Sequence, residues 1–318
     1  MKTIAAVDLK NGKKSADCRV RFFGEDFHII YIDTGGDMDA AAEALEKWDG
    51  RADALALENI RFPSKIASES LPDQQGKKIA ALEGFFTTPV ATGRLLHTVC
   101  RKWTLAQLRQ KYGADLFDDA AILFTSGMAD AAVAQQLLEY TDNFAFCDPV
   151  LSGGIPKILH SIEDLRLYAT YVHPLTETVP AKKLAGMTFF LDACNWHILS
   201  GRIKNADIVV VPHHCFFTDI GGCGIDELDG KIVITAAVFS DRLNFLKQRG
   251  VRMVIDTIPQ MAESIFGPGV LEAMVMVASG ETGRTLVTRD IESVLARLQA
   301  TPRVIFPFNT GNRKPKEE

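Results

Sequence analysis

The chain has 318 residues, of which 47% are hydrophobic and 24% are charged, and its formal net charge is −5. This length predicts about two domains, and this composition is typical of a globular chain that buries a core. The acidic balance argues against a broad basic surface for nucleic acid, and no apolar run approaches the ~18 residues of a membrane helix. Six cysteines without CxxC spacing indicate reduced, buried thiols in a cytoplasmic protein.

The first sixty residues have the pattern of a small α/β unit. Asp37 is placed to cap a helix over 38–48, and Gly50 is placed to end it. Short apolar runs on either side of this helix predict four strands, at 3–9, 18–23, 27–32 and 54–57.

Periodicity weakens between residues 59 and 90, which predicts a long loop before a helix over 93–112. Lys65 lies in this loop, and Glu58 ends the preceding strand. A lysine buried against an acid can transfer protons, whereas a lysine in a polar loop is usually only solvated. We take Lys65 and Glu58 as candidate catalytic residues, with solvated or structural roles as the alternative.

The most informative stretch begins with the apolar run 122–124 and the turn Thr125-Ser126-Gly127. Helical spacing follows over 128–140, and a second apolar run over 144–147 ends at Asp148. This order predicts the nucleotide-binding half of a doubly wound sheet, with a phosphate at the turn and a ribose hydroxyl at the acid. Only one glycine stands where the dinucleotide fingerprint has three.

Continuous valine and isoleucine runs separated by helical spacing follow in the second half of the chain. Such runs predict strands covered on both faces, which means a parallel sheet. We expect a final helix after Gly267-Pro-Gly269 and an edge strand at 303–306. The other predicted strands are at 187–191, 208–211, 231–235 and 252–255.

Ligands of an open parallel sheet bind beyond the carboxyl ends of its strands, where small residues allow close approach. Thr235 and Thr257 follow two of these strands and join Thr125, Ser126, Gly127 and Asp148 as candidate cofactor-binding residues. Small residues also simply fit crowded strand ends, so a packing role is the alternative.

The segment His213-His214-Cys215 suggests a metal site, but neighbouring residues on an extended segment point opposite ways. We therefore expect no metal and assign His214 as a candidate catalytic residue that hydrogen-bonds substrate, with a structural role as the alternative. The sequence has no GxSxG, Walker-type loop, HExxH or CxxC pair, which leaves the common hydrolase, NTPase and metalloenzyme classes without support.

With these residues in view, the chain resembles a family of bacterial and archaeal proteins named quinate 5-dehydrogenases, distantly similar to the shikimate/quinate dehydrogenases. The resemblance covers most of the chain and rests on the segments Gly24–Phe27, Thr34–Asp37, Ala206–Val209, Gly230–Thr235, Leu246–Gly250, Pro259–Met261 and Phe266-Gly267.

The resemblance implies an N-terminal substrate domain, a C-terminal Rossmann domain, hydride transfer with NAD(P), and a catalytic lysine and aspartate. Lys65 is the nearest lysine by position, and Thr92 stands where an aspartate would be wanted. The glycine-rich loop is missing at 125–129.

We therefore expect an N-terminal α/β domain over 1–115 and a Rossmann-like, doubly wound parallel-sheet domain over 116–318. The leading hypothesis is an NAD(P)-dependent dehydrogenase of a small hydroxylated acid, with NAD preferred because Asp148 would repel a 2′-phosphate. The alternative is a Rossmann-like protein, not a dehydrogenase, that binds another nucleotide, a phosphorylated metabolite or a partner protein. We expect a small-molecule substrate, no nucleic acid and no membrane, and leave a homodimer open.

Overall fold

The computed structural model describes residues 1–9, 16–60, 85–113, 116–178, 195–259, 261, 266–280 and 286–305. These residues form two compact units. The first unit contains the described residues up to 111 together with those in 257–302, and the second contains those in 112–256 together with 303–305.

The chain is an α/β protein, as the sequence predicts, and its two sheets are mixed but mostly parallel. The first unit has five strands: β1 (Lys2–Asp8), β2 (Ala16–Phe22), β3 (Glu25–Asp33), β4 (Ala54–Glu58) and β5 (Val90–Ala91). The second has six: β6 (Ile122–Phe124), β7 (Phe144–Phe146), β8 (Ile208–Val210), β9 (Ile232–Thr235), β10 (Met253–Asp256) and β11 (Arg303–Ile305).

The helices alternate with these strands along most of the chain. A π-helical segment, Tyr168–Val172, and a 3₁₀ turn, His213–Cys215, run directly into the α-helices that follow them. The α-helices are α1 (Met38–Trp48), α2 (Arg94–Tyr112), α3 (Gly127–Leu137), α4 (Asp148–Leu151), α5 (Ile162–Leu167), α6 (His173–Thr178), α7 (described over 195–205), α8 (Phe216–Ile220), α9 (Ile225–Leu228), α10 (Ser240–Gln248), α11 (Pro268–Ala278) and α12 (Thr288–Arg297).

The sheet of the first unit has the order β2-β3-β1-β4-β5, and only the β2–β3 pair is antiparallel. Asp37 caps α1 as predicted, because its side chain accepts from the N–H groups of Asp39 and Ala40. Helix α1 buries Ala41 and Leu45 against apolar residues of β1 and β4. The local pattern therefore predicts this part of the fold well.

The predicted second domain, 116–318, differs from the structure in one segment. Helix α11 packs against β4, β1 and β5 of the first sheet, so that 257–302 belongs to the first unit. Its residues from Pro268 to Val277 are buried, and Glu58 accepts a hydrogen bond from the N–H of Val270 at 2.6 Å. Small residues on the sheet, such as Ala6 and Ala56, leave room for this helix.

The sheet of the second unit has the order β11-β10-β9-β8-β6-β7, with only β11 antiparallel. Strand β6 leads to β7 on one side, and the chain then returns to β8 on the other side. This reversal is the topological switch point of a doubly wound sheet. The second unit is therefore Rossmann-like, as predicted, and the edge strand expected near 303–306 is β11.

Two smaller expectations are corrected or remain outside the described residues. The helix after Gly267 is not the last one, because α12 follows it. The predicted strand 187–191 lies outside the described residues. Within the described part of the chain, no helix is both long and apolar enough to span a bilayer.

Candidate functional site

The turn between β6 and α3 lies at the switch point, where a Rossmann domain usually binds a pyrophosphate. Here the carboxylate of Asp148 occupies that position. It accepts hydrogen bonds from the N–H of Gly127 at 2.7 Å, the N–H of Met128 at 3.0 Å and the hydroxyl of Ser126 at 3.1 Å. The sequence position of Asp148 led us to expect that its side chain points at a ribose. In the structure the carboxylate instead binds the N-terminus of α3.

The remaining donors of this first helical turn are also used within the chain. The side chain of Ser126, the N-cap residue, accepts from the N–H of Ala129 at 3.4 Å. The N–H of Asp130 donates to the backbone oxygen of Ser126 at 3.2 Å. A helix N-terminus binds an anion through the N–H groups that the helix itself leaves unpaired, and here those of Gly127, Met128 and Ala129 have acceptors within the chain.

Gly127 has a packing role at the same turn. A Cβ atom at this position would clash with the ring of Phe146 and would come within 2.8 Å of the side chain of Leu165. The glycine of a dinucleotide fingerprint is instead needed so that the pyrophosphate can approach the backbone. The single glycine of the turn thus makes room for the protein's own core.

Burial dominates the electrostatics of Asp148. Only 2% of the residue is exposed, and burial raises the pKa of its carboxyl group to about 6, although the hydrogen bonds from Met128, Gly127 and Ser126 lower it. Among the described residues no cation pairs with this carboxylate. A buried charge is costly unless it is compensated, and the described compensation for Asp148 consists of hydrogen bonds without a cation.

A second acid at the same edge of the sheet has a similar role. Asp256, at the end of β10, accepts from the N–H groups of Ala237 and Val238, both at 2.9 Å. The guanidinium group of Arg303 donates to Asp256 at 2.7 Å and to the backbone oxygen of Val238 at 2.9 Å. Ala237 has a φ of 51°, a left-handed conformation that costs energy for a residue other than glycine.

Backbone oxygens at this edge of the sheet accept hydrogen bonds from a buried arginine. Arg242 is 4% exposed, and its guanidinium group donates to the oxygens of His213 at 2.8 Å and Ala236 at 3.2 Å. The rings of Phe216 and Phe239 lie beside the guanidinium group, and burial lowers the pKa of Arg242. This arginine therefore holds the ends of β8 and β9 together and has a structural role.

The three threonines predicted to bind a cofactor have a property in common. The hydroxyl groups of Thr125, Thr235 and Thr257 are buried and have no hydrogen-bond partner in the part of the chain that the structure describes. Thr125 and Thr235 belong to the second unit, and Thr257 to the first. Their side-chain hydroxyls are therefore not used by the described residues of the chain.

The predicted catalytic residues are only partly described. Lys65 lies outside the described residues, and so does the side chain of His214. The 213–215 segment forms a 3₁₀ turn, so our argument from an extended segment was wrong. Among the described residues, no three histidine, cysteine or acidic side chains are grouped as a metal site.

Glu58 lies in a row of acids at the carboxyl edge of the first sheet, because Asp8 is in register with both Asp33 and Glu58. Its carboxylate is 5% exposed and accepts from the N–H of Val270, at the N-terminus of α11. Glu272 serves α2 in the same way: it accepts from the N–H groups of Thr92, Gly93 and Leu96. The described contacts of Glu58 are those of a helix-capping acid.

The sequence analysis missed Arg242, Asp256 and Glu272. Asp256 ends a buried apolar run in the same way as Asp148, and this common pattern was a usable signal. Glu272 is the one charged residue in the apolar segment 268–278, which also marks it as a buried acid with backbone partners. Arg242 carried no such signal, because it follows Ser240-Asp241 in an ordinary amphipathic helix.

Family models match both parts of the chain. The model described as "Domain of unknown function (DUF8754)" matches residues 95–307, more than half of the chain. The chain belongs to this family. A second model, "Domain of unknown function (DUF8753)", matches residues 3–92. No curated protein matches the chain.

Solved structures are similar only at a low level. A crystal structure of Entamoeba histolytica malic enzyme is 14% identical with a TM-score of 0.43, covering 93% of this chain and 62% of that chain. The chain thus spans less than two thirds of the malic enzyme. A Burkholderia graminis C4D1M ABC transporter solute-binding protein in complex with D-arabinose is 10% identical with a TM-score of 0.35, covering 98% of each chain. Scores this low carry no argument about ligands.

Proposed function

We propose that this chain is a Rossmann-like protein that binds a small hydroxylated metabolite and does not bind a dinucleotide at the turn between β6 and α3. The observation that carries the proposal is that the N–H groups of Gly127, Met128 and Ala129, at the start of α3, already have acceptors. Asp148 accepts from the first two and the Ser126 hydroxyl from the third, so a pyrophosphate would have to displace these acceptors.

The charge at the turn supports the same proposal. A pyrophosphate carries negative charge, and Asp148 lies where that charge would have to be placed. Two anions at one helix N-terminus repel each other, and no described cation pairs with Asp148 to offset the repulsion. Binding of a dinucleotide would require the carboxylate to leave, which would break three hydrogen bonds.

The dehydrogenase hypothesis from the sequence remains the rival. The strand order, and an acid at the end of β7, are the features that favour it. It requires a second conformation in which Asp148 turns away from Gly127 and Met128 towards a ribose. Such a conformation would also have to expose the turn, which Phe146 and Leu165 now cover.

Titration of the purified full chain with NAD and with NADP, followed by tryptophan fluorescence and by calorimetry, tests the proposal. Dinucleotide enzymes are half-saturated at about 1 μM to 1 mM. We expect no saturable signal with either dinucleotide up to the top of this range. Saturable binding of NAD or NADP would overturn the proposal and favour the dehydrogenase hypothesis.

A variant sharpens this titration. Asp148→Asn removes the charge and keeps the size of the side chain, and Asp118→Asn removes an exposed acid of the same unit as a control. If charge at the turn is what excludes a dinucleotide, only Asp148→Asn gains measurable NAD affinity. Native mass spectrometry of the wild-type chain would then show whether a non-nucleotide molecule is retained after purification.

A further inference from the structure

Two buried hydroxyl groups lie at the switch point, on either side of Val211. Thr125 follows β6 and is 0% exposed, and Thr235 ends β9 and is 3% exposed. Neither hydroxyl has a hydrogen-bond partner among the residues that the structure describes. Buried hydroxyl groups are nearly always hydrogen-bonded, so two such groups near one another need an explanation.

The ladder of the sheet places these residues in one row. The N–H of Thr125 donates to the oxygen of Val210 at 3.0 Å, and the N–H of Val211 donates to the oxygen of Ile234 at 2.9 Å. The pairs Phe124–Val210 and Val210–Ile234 are in register, so the next residues along these strands are Thr125, Val211 and Thr235.

Residues in one row of a parallel sheet lie on the same face. The threonines flank Val211, which belongs to the buried cluster that also contains Leu123, Val209 and Val233 two residues earlier on the three strands. Two strand spacings separate them, about 10 Å between Cα atoms. The two threonine side chains thus lie on one face of the sheet at its carboxyl edge, on either side of Val211.

We propose that the hydroxyl groups of Thr125 and Thr235 bind one small, uncharged polyhydroxylated molecule at the switch point. This inference rests on the proposed function and names the ligand class for it. A hydroxyl group both donates and accepts, and so matches the hydroxyls of a polyol.

The charges that flank the row argue against an anionic ligand. On one side of the row, Asp148 follows β7, the strand that pairs with β6. On the other side, Asp256 of β10 is in register with Thr235. The nearby guanidinium group of Arg242 donates to backbone oxygens of the chain. The row therefore offers hydroxyl groups and no described free cation, which fits a neutral polyol better than a carboxylate or a phosphate.

Replacement of each threonine by valine distinguishes a hydroxyl that holds a ligand from one that has no partner, because the two cases shift the midpoint of thermal unfolding in opposite directions. Thr125→Val and Thr235→Val keep the shape of the side chain and remove the hydroxyl. A buried hydroxyl that has no partner destabilises the fold, and its removal raises the midpoint. A hydroxyl that holds a retained molecule stabilises the fold, and its removal lowers the midpoint and releases the molecule.

The probe is xylitol, a neutral five-carbon polyol, at up to 10 mM with the full chain, and quinate at the same concentrations is the anionic comparison. We expect xylitol to raise the unfolding midpoint of the wild type and quinate to leave it unchanged. Thr125→Val and Thr235→Val should weaken xylitol binding at least tenfold. Thr125→Ser, which keeps a hydroxyl, should restore part of it.

Thr170→Val is the matched control, because Thr170 also has a buried hydroxyl without a partner but lies in the π-helical segment Tyr168–Val172. It should bind xylitol like the wild type. The inference is overturned if xylitol does not shift the wild type, if quinate shifts it instead, or if both valine variants are stabilised and bind xylitol unchanged. Those outcomes leave the proposed function standing, whereas saturable NAD binding overturns the proposed function itself.

Discussion

In the turn after β6 and in the turn after β9, backbone N–H groups donate to a buried carboxylate, and the two turns differ in whether a cation pairs with that carboxylate. In each, an acid at the end of a neighbouring strand accepts from two consecutive N–H groups: Asp148 from 127 and 128, and Asp256 from 237 and 238. Asp256 also has the guanidinium group of Arg303 at 2.7 Å, whereas no described cation pairs with Asp148.

The comparison shows that an internal carboxylate can satisfy the N–H groups of a turn in two ways. With an arginine present, as for Asp256, the acid is part of an ion pair as well as an acceptor for the turn. Without one, burial raises the pKa of the acid to about 6, and the closed turn is held by hydrogen bonds alone. We therefore expect the Asp256 turn to determine stability and the Asp148 turn to respond to pH.

Asp256→Ala should have the largest effect on stability. It removes the acceptor of two buried N–H groups and leaves the guanidinium group of Arg303, which is 20% exposed, without its acid. Breaking a buried pair by removing one partner costs about 3–5 kcal/mol. Urea unfolding followed by circular dichroism measures the loss, with Asp118→Asn as an exposed control. A loss no greater than the control's would mean that the pair contributes nothing and would remove the distinction between the turns.

The pH dependence of unfolding should distinguish Asp148. Its folded-state pKa, about 6, lies above the ordinary value of 3.8, so the folded chain binds this proton more tightly than the unfolded chain. The corresponding stability is fully present below pH ~4 and is lost as the pH rises to ~6, with a total of about 3 kcal/mol at most.

The measurement is the free energy of unfolding in urea at several pH values between 4 and 7.5, for the wild type and for Asp148→Asn. The difference between the two chains should change across this window, since the variant cannot titrate at this position. A constant difference would show that Asp148 is ionised throughout the window, as a well-paired acid would be.

Gly127→Ala tests whether the first turn is filled by the core. The new Cβ atom would meet the rings and methyl groups of Phe146 and Leu165, and overpacking of this kind costs about 1–3 kcal/mol. Gly201→Ala is the matched control, because a Cβ atom at 201 in α7 meets nothing within 4 Å and should stabilise the helix by about 0.5–1 kcal/mol. Equal midpoints of urea unfolding for the two variants would contradict the packing role of Gly127.

Ala237→Gly should have the smallest effect and the opposite sign. Glycine adopts the positive φ of this position without the steric cost that alanine has, so the variant should be about 0.5–1 kcal/mol more stable. The neighbouring change Ala236→Gly, at a residue for which no positive φ is found, should destabilise. A destabilised Ala237→Gly would mean that the side chain of Ala237 contributes packing that outweighs the backbone strain.

Local patterns in the sequence are sufficient for most elements of the fold. Continuous apolar runs predict β6, β8, β9 and β10, because strands covered on both faces need no polar residues. The Asp37 cap of α1 is equally local, since the capped N–H groups are two and three residues away. The partner of α11 is not local: the contact between Glu58 and Val270 spans 212 residues, and no spacing within the helix points to it.

The candidate site shows the same division. By itself the sequence determined that Ser126 and Gly127 form a turn between a strand and a helix and that Asp148 follows the next strand, because apolar runs and helical spacing are local patterns. The strand order that makes this turn the switch point came from the tertiary structure. Only the tertiary structure decided that the Asp148 carboxylate turns to the N–H groups of α3 instead of a ribose. That choice depends on burial and on the packing of Phe146 and Leu165 over Gly127, which are properties of the assembled core and not of any one segment.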